Sequence, residues 1–248
     1  MAEERRVAVL DTPDDVASQA AIEFEVRARA AIDEHGWFAV ALSGGKTPAA
    51  FHSLLASPKY ADDIDWPNIH FFWADERCVP PDDERSNYKQ ALDALLAPLR
   101  IPEANVHRMR GELEPHAGAL DYCAQLHKFF GETIRFDAIY LGLGDDGHTA
   151  SLFPGNAALD ERETLCVAVH APENKVAPWR LTLTYPVLNG ARSALFLVDG
   201  ERKATVLARV LEGPSDVHAL PAQGVSPKRG SLIWLVDNAA ATQLRSRV

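Results

Sequence analysis

The sequence predicts an α/β protein: a three-layer, mostly parallel, Rossmann-like sheet with helices on both faces, built by residues 1–248 as one domain. Three observations carry that prediction. Short apolar runs alternate along the chain with helical patterns of about 10–20 residues, the rhythm of βαβ units. Hydrophobic residues fill 47% of the 248 positions, enough for a large core. Glycine-rich loops follow several apolar runs, where open α/β sheets place their ligands.

The elements follow in order. Arg6 to Leu10 reads as a short strand. Thr12-Pro13-Asp14-Asp15 then supplies an N-cap, a proline at the first helical position and an acid at the third, a capping-box variant with Asp for Glu. The helix it opens runs to Glu34, with Gly36 as its stop. Trp37 to Leu42 predicts a second strand, followed by Ser43-Gly44-Gly45-Lys46-Thr47 and a helix that starts with Pro48 and takes Thr47 as its cap. Ile69 to Ala74 predicts a third strand, and Asn87 to Ala97 a helix. Pro115 to Phe130 reads as a helix leading into a buried strand at Phe136 to Leu141. Further strands are expected at Leu165 to Val169, Leu181 to Thr184, Ala194 to Val198 and Leu232 to Val236. Helices at Glu201 to Leu211 and Asn238 to Leu244 separate or follow them. Val79 to Ser86 and Gly213 to Lys228 are rich in Pro, Asp and Gly, and read as site loops rather than linkers.

Composition narrows the function. Lys and Arg total 25 against 35 Asp and Glu, a formal charge of −10, which disfavours nucleic-acid and membrane partners. An anionic small substrate must then be held by a local cluster of cations. Cys78, Cys123 and Cys166 show no C-x-x-C pairing and read as thiols in a reducing compartment. The opening Met-Ala-Glu-Glu-Arg-Arg lacks the apolar core of a signal peptide, and no apolar run approaches ~18 residues. The expectation is a soluble cytoplasmic protein, a monomer or weak homodimer.

Four loops carry the chemistry. Leu141 to Gly155 delivers Asp146 and His148 directly after the Phe136 strand. Histidine is the side chain that takes up and releases a proton near neutral pH. Gly142, Gly144 and Gly147 match the dinucleotide pattern G-x-G-x-x-G, but Asp145 and Asp146 fill the positions that would face a pyrophosphate. Pro154 and Gly155 also cut short any long helix whose N-terminus could hold one. In the second loop, Gly44 and Gly45 allow close backbone approach to an anion. Gly45-Lys46-Thr47 resembles the end of a P-loop, yet Val40 stands where that motif needs its first glycine. The third is Asp75-Glu76-Arg77, on its own an ion-pair turn, but placed at a strand end where Arg77 could fork a phosphate. The fourth pair, Arg180 and Lys203, are surface charges unless the fold brings them to the same crevice. No Gly-x-Ser-x-Gly elbow or His-Glu-x-x-His motif is present, so the chemistry expected is a His–carboxylate site with an anion pocket, needing neither metal nor cofactor.

Taken together, Ser43-Gly-Gly-Lys-Thr-Pro48, Asp75-Glu-Arg77 with Ser86-Asn87, and Gly142-Leu-Gly-Asp-Asp-Gly-His-Thr-Ala-Ser-Leu-Phe-Pro154 closely resemble the 6-phosphogluconolactonase family. The resemblance continues through Arg180-Leu-Thr-Leu-Thr184, Gly200-Glu-Arg-Lys203 and Leu220-Pro-Ala222, nearly the whole chain in order. It implies a carboxylic ester hydrolase that converts 6-phospho-D-glucono-1,5-lactone to 6-phosphogluconate, the second step of the oxidative pentose phosphate pathway. It also implies Arg77, Arg180 and Lys203 as ligands of the phosphate or the sugar, with Ser43, Gly44, Gly45, Lys46, Thr47, Asp75 and Gly144 completing the substrate site. His148 is the expected general base, and Asp146 either orients it or binds substrate hydroxyls. Glucosamine-6-phosphate deaminases and isomerases share the fold, but carry a glutamate just before the proline of the same loop. Phe153 stands there in this chain. A ring-opening isomerase or deaminase is therefore the alternative enzyme, and a non-catalytic sugar-phosphate sensor the alternative of another class.

Overall fold

The computed structural model describes residues 4–173 and 177–245. Its elements are β1 (Glu4–Leu10), α1 (Pro13–His35), β2 (Phe38–Leu42), α2 (Lys46–Leu55), α3 (Pro58–Ala61), β3 (Ile69–Trp73), β4 (Asp75–Arg77) and α4 (Asn87–Ala91). They continue with α5 (Pro115–Phe130), β5 (Ala138–Gly142), β6 (Cys166–His170), β7 (Trp179–Leu183), α6 (Tyr185–Leu188), β8 (Ser193–Val198), α7 (Ala204–Glu212) and β9 (Ser231–Asp237). Six strands form a sheet in the order β1-β9-β8-β5-β2-β3, with every neighbouring pair parallel. β2 and β8 are buried along their whole length, which explains why they read as unbroken apolar runs.

Local chemistry fixes the helix ends. The Thr12 hydroxyl accepts from the Asp15 N–H while the Asp15 carboxylate accepts from the Thr12 N–H, so the Asp variant of the capping box is real. Gly36 ends α1 in the left-handed region at φ 89°, where a side chain is costly. Phe24 of α1 then packs edge-on against Phe38 of β2 at 5.2 Å, and Phe196 stacks on Trp234 between β8 and β9 at 3.8 Å. Among the described residues no helix is long and apolar enough to cross a membrane.

The structure departs from the sequence reading at four places. β4, β7 and β6 form a separate antiparallel sheet, whereas the sequence predicts one mostly parallel sheet and reads Asp75-Glu76-Arg77 as a loop. The connection between His170 and Trp179 is too short for a crossover, so these strands can pair only antiparallel. The helix expected from Asn87 to Ala97 changes after Ala91 into a π-helical turn, Leu92–Leu96. The expected helix at Asn238 to Leu244 shrinks to one 3₁₀ turn, Ala240–Gln243. Finally, Gly45 rather than Thr47 occupies the cap of α2, because the helix starts two residues earlier, at Lys46. Thr47 lies inside it and donates to Asp199 Oδ2 at 2.8 Å.

One buried group ties stability to pH. His52 of α2 is 1% exposed, and neither ring nitrogen has a hydrogen-bond partner among the described residues. Burial alone pushes its pKa from 6.5 down to about 4. The unfolded chain therefore takes up a proton below the ordinary value that the folded chain refuses. Stability contributed by neutral His52 is complete above pH 6.5 and is lost as pH falls towards 4, by roughly 3 kcal/mol. Urea titrations at pH 7 and pH 4 are expected to show a His52→Phe variant losing less stability than the parent; an equal loss would place the acid sensitivity elsewhere.

Candidate active site

The main sheet and the small sheet meet at Ala74. Its N–H donates to the Leu42 carbonyl at the end of β2, and its carbonyl accepts from Leu183 of β7, both at 2.8 Å. This seam carries β4 over the carboxyl ends of β2 and β5, the edge where parallel sheets place ligands. A cleft of about 390 Å³ lies there. Ser43 and Gly44 enter it from the end of β2, Gly144 and His148 from the loop after β5, and Lys203 from the turn after β8. The small sheet contributes Asp75, Arg77 and Arg180. Gly45, Lys46 and Thr47 do not line it, and Asp146 stands behind His148.

His148 is held in one orientation. Its Nδ1 bonds to Asp146 Oδ1, and its backbone N–H donates to the same oxygen at 3.2 Å. With Nδ1 engaged, Nε2 is the nitrogen left for chemistry in the cleft. The Phe153 ring packs against the imidazole at 4.8 Å and is itself buried. The turn closes as Gly144 N–H donates to the His148 carbonyl at 2.8 Å, so the Gly144 amide is already used. A Cβ on Gly144 would fall 2.0 Å from His148 Nδ1 and 2.7 Å from Asp146 Oδ1. The glycine there makes room for the His–Asp pair. Ala150, also in the cleft wall, is forced into the left-handed region at φ 48°, a local strain of the kind that collects at sites.

The opposite wall is cationic. Arg77 of β4 and Arg180 of β7 are directly paired in the antiparallel register. Like charges placed face to face across strands are unfavourable by themselves. Burial holds the Arg180 guanidinium below the usual arginine range; Asp75 opposes this and Arg77 adds to it. Arg77 Nε is buried with no hydrogen-bond partner among the described residues, while its Nη1 donates to the Arg85 carbonyl. Lys203 is drawn to Asp145, which Arg202 also contacts at 2.7 Å. The Lys203 bond, followed by the weaker pull of Arg202, keeps the Asp145 carboxyl below the usual range despite partial burial.

Sequence reasoning gave no site role to Glu76, Asn87 or Ser151, all of which shape the cleft. Glu76 is 2% exposed and accepts from the N–H groups of Arg77, Asn87 and Tyr88 at 2.7–2.8 Å and from the Ser86 hydroxyl at 2.9 Å. Burial nevertheless pushes its pKa up. Asn87 lines the cleft and donates to the Asp75 carbonyl at 2.9 Å; a Cβ on Gly44 would lie 1.9 Å from its Oδ1. Asp75 also accepts from the Ser151 hydroxyl at 2.7 Å, tying the small sheet to the His148 loop. Ser86-Asn87, directly ahead of a helix, was the available signal, but nothing in sequence spacing shows that Glu76 folds back onto it. The Ser43 hydroxyl donates to the Tyr140 carbonyl at 2.8 Å, and the Gly45 N–H donates to Gln90 Oε1 at 2.8 Å.

Residues 11–234 match the family model described as glucosamine-6-phosphate isomerases/6-phosphogluconolactonase. The chain belongs to the glucosamine-6-phosphate isomerase/6-phosphogluconolactonase family. A 6-phosphogluconolactonase of Synechocystis is 40% identical over 245 residues, covering 97% of this chain and 98% of that protein. One from Rattus norvegicus is 38% identical over 242 residues, covering 96% and 93%. Among solved structures of the family, the 6-phosphogluconolactonase of Trypanosoma brucei matches with a TM-score of 0.87 at 26% identity, covering 98% of this chain and 100% of that one. A monomeric glucosamine-6-phosphate deaminase matches with a TM-score of 0.79 at 20% identity over 96% and 99%, a likeness of fold alone.

For this member of the family, the space left by Gly144 is a testable constraint. Gly144→Ala is expected to cost roughly 1–3 kcal/mol by overpacking. It should also abolish the low-field imidazole Nδ1–H resonance that the Asp146 bond produces. An unchanged resonance would show that the pair tolerates a methyl group.

Proposed function

We propose that this chain hydrolyses 6-phospho-D-glucono-1,5-lactone to 6-phosphogluconate. The observation that carries the reading is one cleft that sets the Asp146-oriented His148 across from the paired Arg77 and Arg180 guanidiniums. The relatives bearing the 6-phosphogluconolactonase name support the same choice. An arginine pair facing one space suits a phosphate monoester, which takes two forked guanidiniums where a neutral sugar offers only hydroxyls. Lys203 is the third cation of the substrate site, with Asp145 setting its position.

The chemistry follows from the tautomer. Asp146 accepts from Nδ1–H, so neutral His148 presents the Nε2 lone pair. Nε2 takes a proton from water as the water oxygen attacks the lactone carbonyl carbon. The carbonyl oxygen becomes an oxyanion, for which the Gly44 N–H is the candidate donor, because the Gly45 and Gly144 amides already donate elsewhere. The imidazolium then gives its proton to the ring oxygen as the C–O bond breaks, and the acid product ionises. Acid–base work of this kind supplies about 10²–10⁴-fold, with orientation adding the rest. Phe153 has no titratable group, so the position before Pro154 cannot relay the protons that ring opening would require. The charge of −10 favours a small-molecule enzyme over a nucleic-acid binder.

Hydrolysis of freshly made phosphogluconolactone, followed against its spontaneous background, should be strongly accelerated. His148→Ala should lower kcat by about 10²-fold or more with KM within a few-fold; near-normal turnover would remove it as the base. Arg77→Ala should raise KM by roughly tenfold or more and erase the preference for phosphorylated over plain gluconolactone. A surviving preference would move the phosphate elsewhere.

A further inference from the structure

A second cleft, of about 660 Å³, opens away from the catalytic one, between the loop ahead of β6, α6 and the loop ahead of β9. Arg162, Lys228 and Arg229 stand on its walls, and Leu159, Pro186 and Val217 supply apolar surface. The cations there are not neutralised by neighbours. Arg162 Nη1 donates to two backbone carbonyls, those of Leu159 at 2.7 Å and Glu161 at 2.8 Å. Lys228 and Arg229 are exposed and have no carboxylate partner among the described residues. Of the acids nearby, Glu34 and Asp137 pair with Arg192 at 3.0 and 3.3 Å, and Asp160 lies 3.3 Å from His218. Arg135 adds a further positive charge, donating to the Arg229 carbonyl at 2.9 Å. Burial, with Arg192 and Arg229 close by, pushes its guanidinium below the usual arginine range. In a chain of net charge −10, this gathers three cations on the walls of one concave, part-apolar space.

The same cleft touches the catalytic loop through one segment. Val217, His218 and Gly224 line it. The His218 carbonyl accepts from Gly155 N–H, and Ala222 N–H donates to the Gly147 carbonyl, both at 2.9 Å. Gly147 directly precedes His148, and a Cβ there would meet Leu220 Cδ2 at 2.6 Å. Residues 216–224 therefore hold the loop on either side of His148, at Gly147 and Gly155, and also line the second cleft.

We propose that this second cleft is a separate binding site for a small organic phosphate, and that its occupant shifts the His148 loop through residues 216–224. The cations recognise the phosphate, the apolar wall favours a ligand with a non-polar body, and linkage makes the effect reciprocal between the two clefts. The binding half stands apart from the lactonase reading, and only an effect on turnover would rest on it.

ADP and inorganic pyrophosphate serve as probes, titrated calorimetrically into the full chain. ADP is expected to bind more tightly than pyrophosphate, and its Kd to rise at least about tenfold in Lys228→Gln/Arg229→Gln while staying unchanged in Arg77→Ala. Both substitutions of the first variant are on exposed residues, and its circular dichroism spectrum should match the parent. Amide resonances of Gly147 and Gly155 should move on ADP addition, a readout that holds whatever the enzyme's substrate. No binding at millimolar ADP, or binding lost in Arg77→Ala and retained in the double variant, would overturn the site. Binding with both glycine amides unmoved would overturn the coupling.

Discussion

The molecule turns on one residue's two backbone bonds. Ala74 donates to Leu42 in the parallel sheet and accepts from Leu183 in the antiparallel one, so a single residue links the two sheets. The small-sheet wall of the cleft depends on that link. It sets Asp75 to Arg77 above the ends of β2 and β5, and β7 follows with Arg180 in register. α5 braces the same point, because the Tyr122 hydroxyl accepts from Trp73 N–H at 2.9 Å and donates to its carbonyl at 3.1 Å.

The division of labour follows from the two architectures. Parallel strands end in loops that can be glycine-rich and tight, which suits the His148–Asp146 pair and the space Gly144 leaves for it. Antiparallel strands place side chains opposite each other, which is how two arginines come to face one space. Such a pair costs free energy without an anion, and the fold absorbs that cost through neighbouring carboxylates. Asp75 stands beside Arg180, and Glu76 accepts three bonds from the start of α4 and one from the Arg77 N–H, fixing the strand on which Arg77 sits.

Much of this was legible in the residues. Period and punctuation found the helices whose ends are chemically explicit, above all α1 with its capping box and Gly36, and α5 from Pro115 to Phe130. Strand-exit glycines found the Ser43 and Gly142 loops, and the order of motifs found the family. The small sheet was hidden because β4 is three residues of charge, which resembles a solvated turn until β7 supplies its partner. The roles of Gly45 and Thr47 were hidden for a related reason. Their amide and hydroxyl are consumed by Gln90 and Asp199, contacts made by residues 45 and 152 positions away in sequence.

In the proposed function the small sheet holds the phosphate while the parallel sheet's loop does the chemistry. A crystal structure of the chain with bound 6-phosphogluconate tests it most directly. The phosphate is predicted to lie within hydrogen-bond distance of both Arg77 and Arg180, with the carboxylate that was the lactone carbonyl beside His148 Nε2. A phosphate seated against His148, with the carboxylate towards the arginines, would contradict the account.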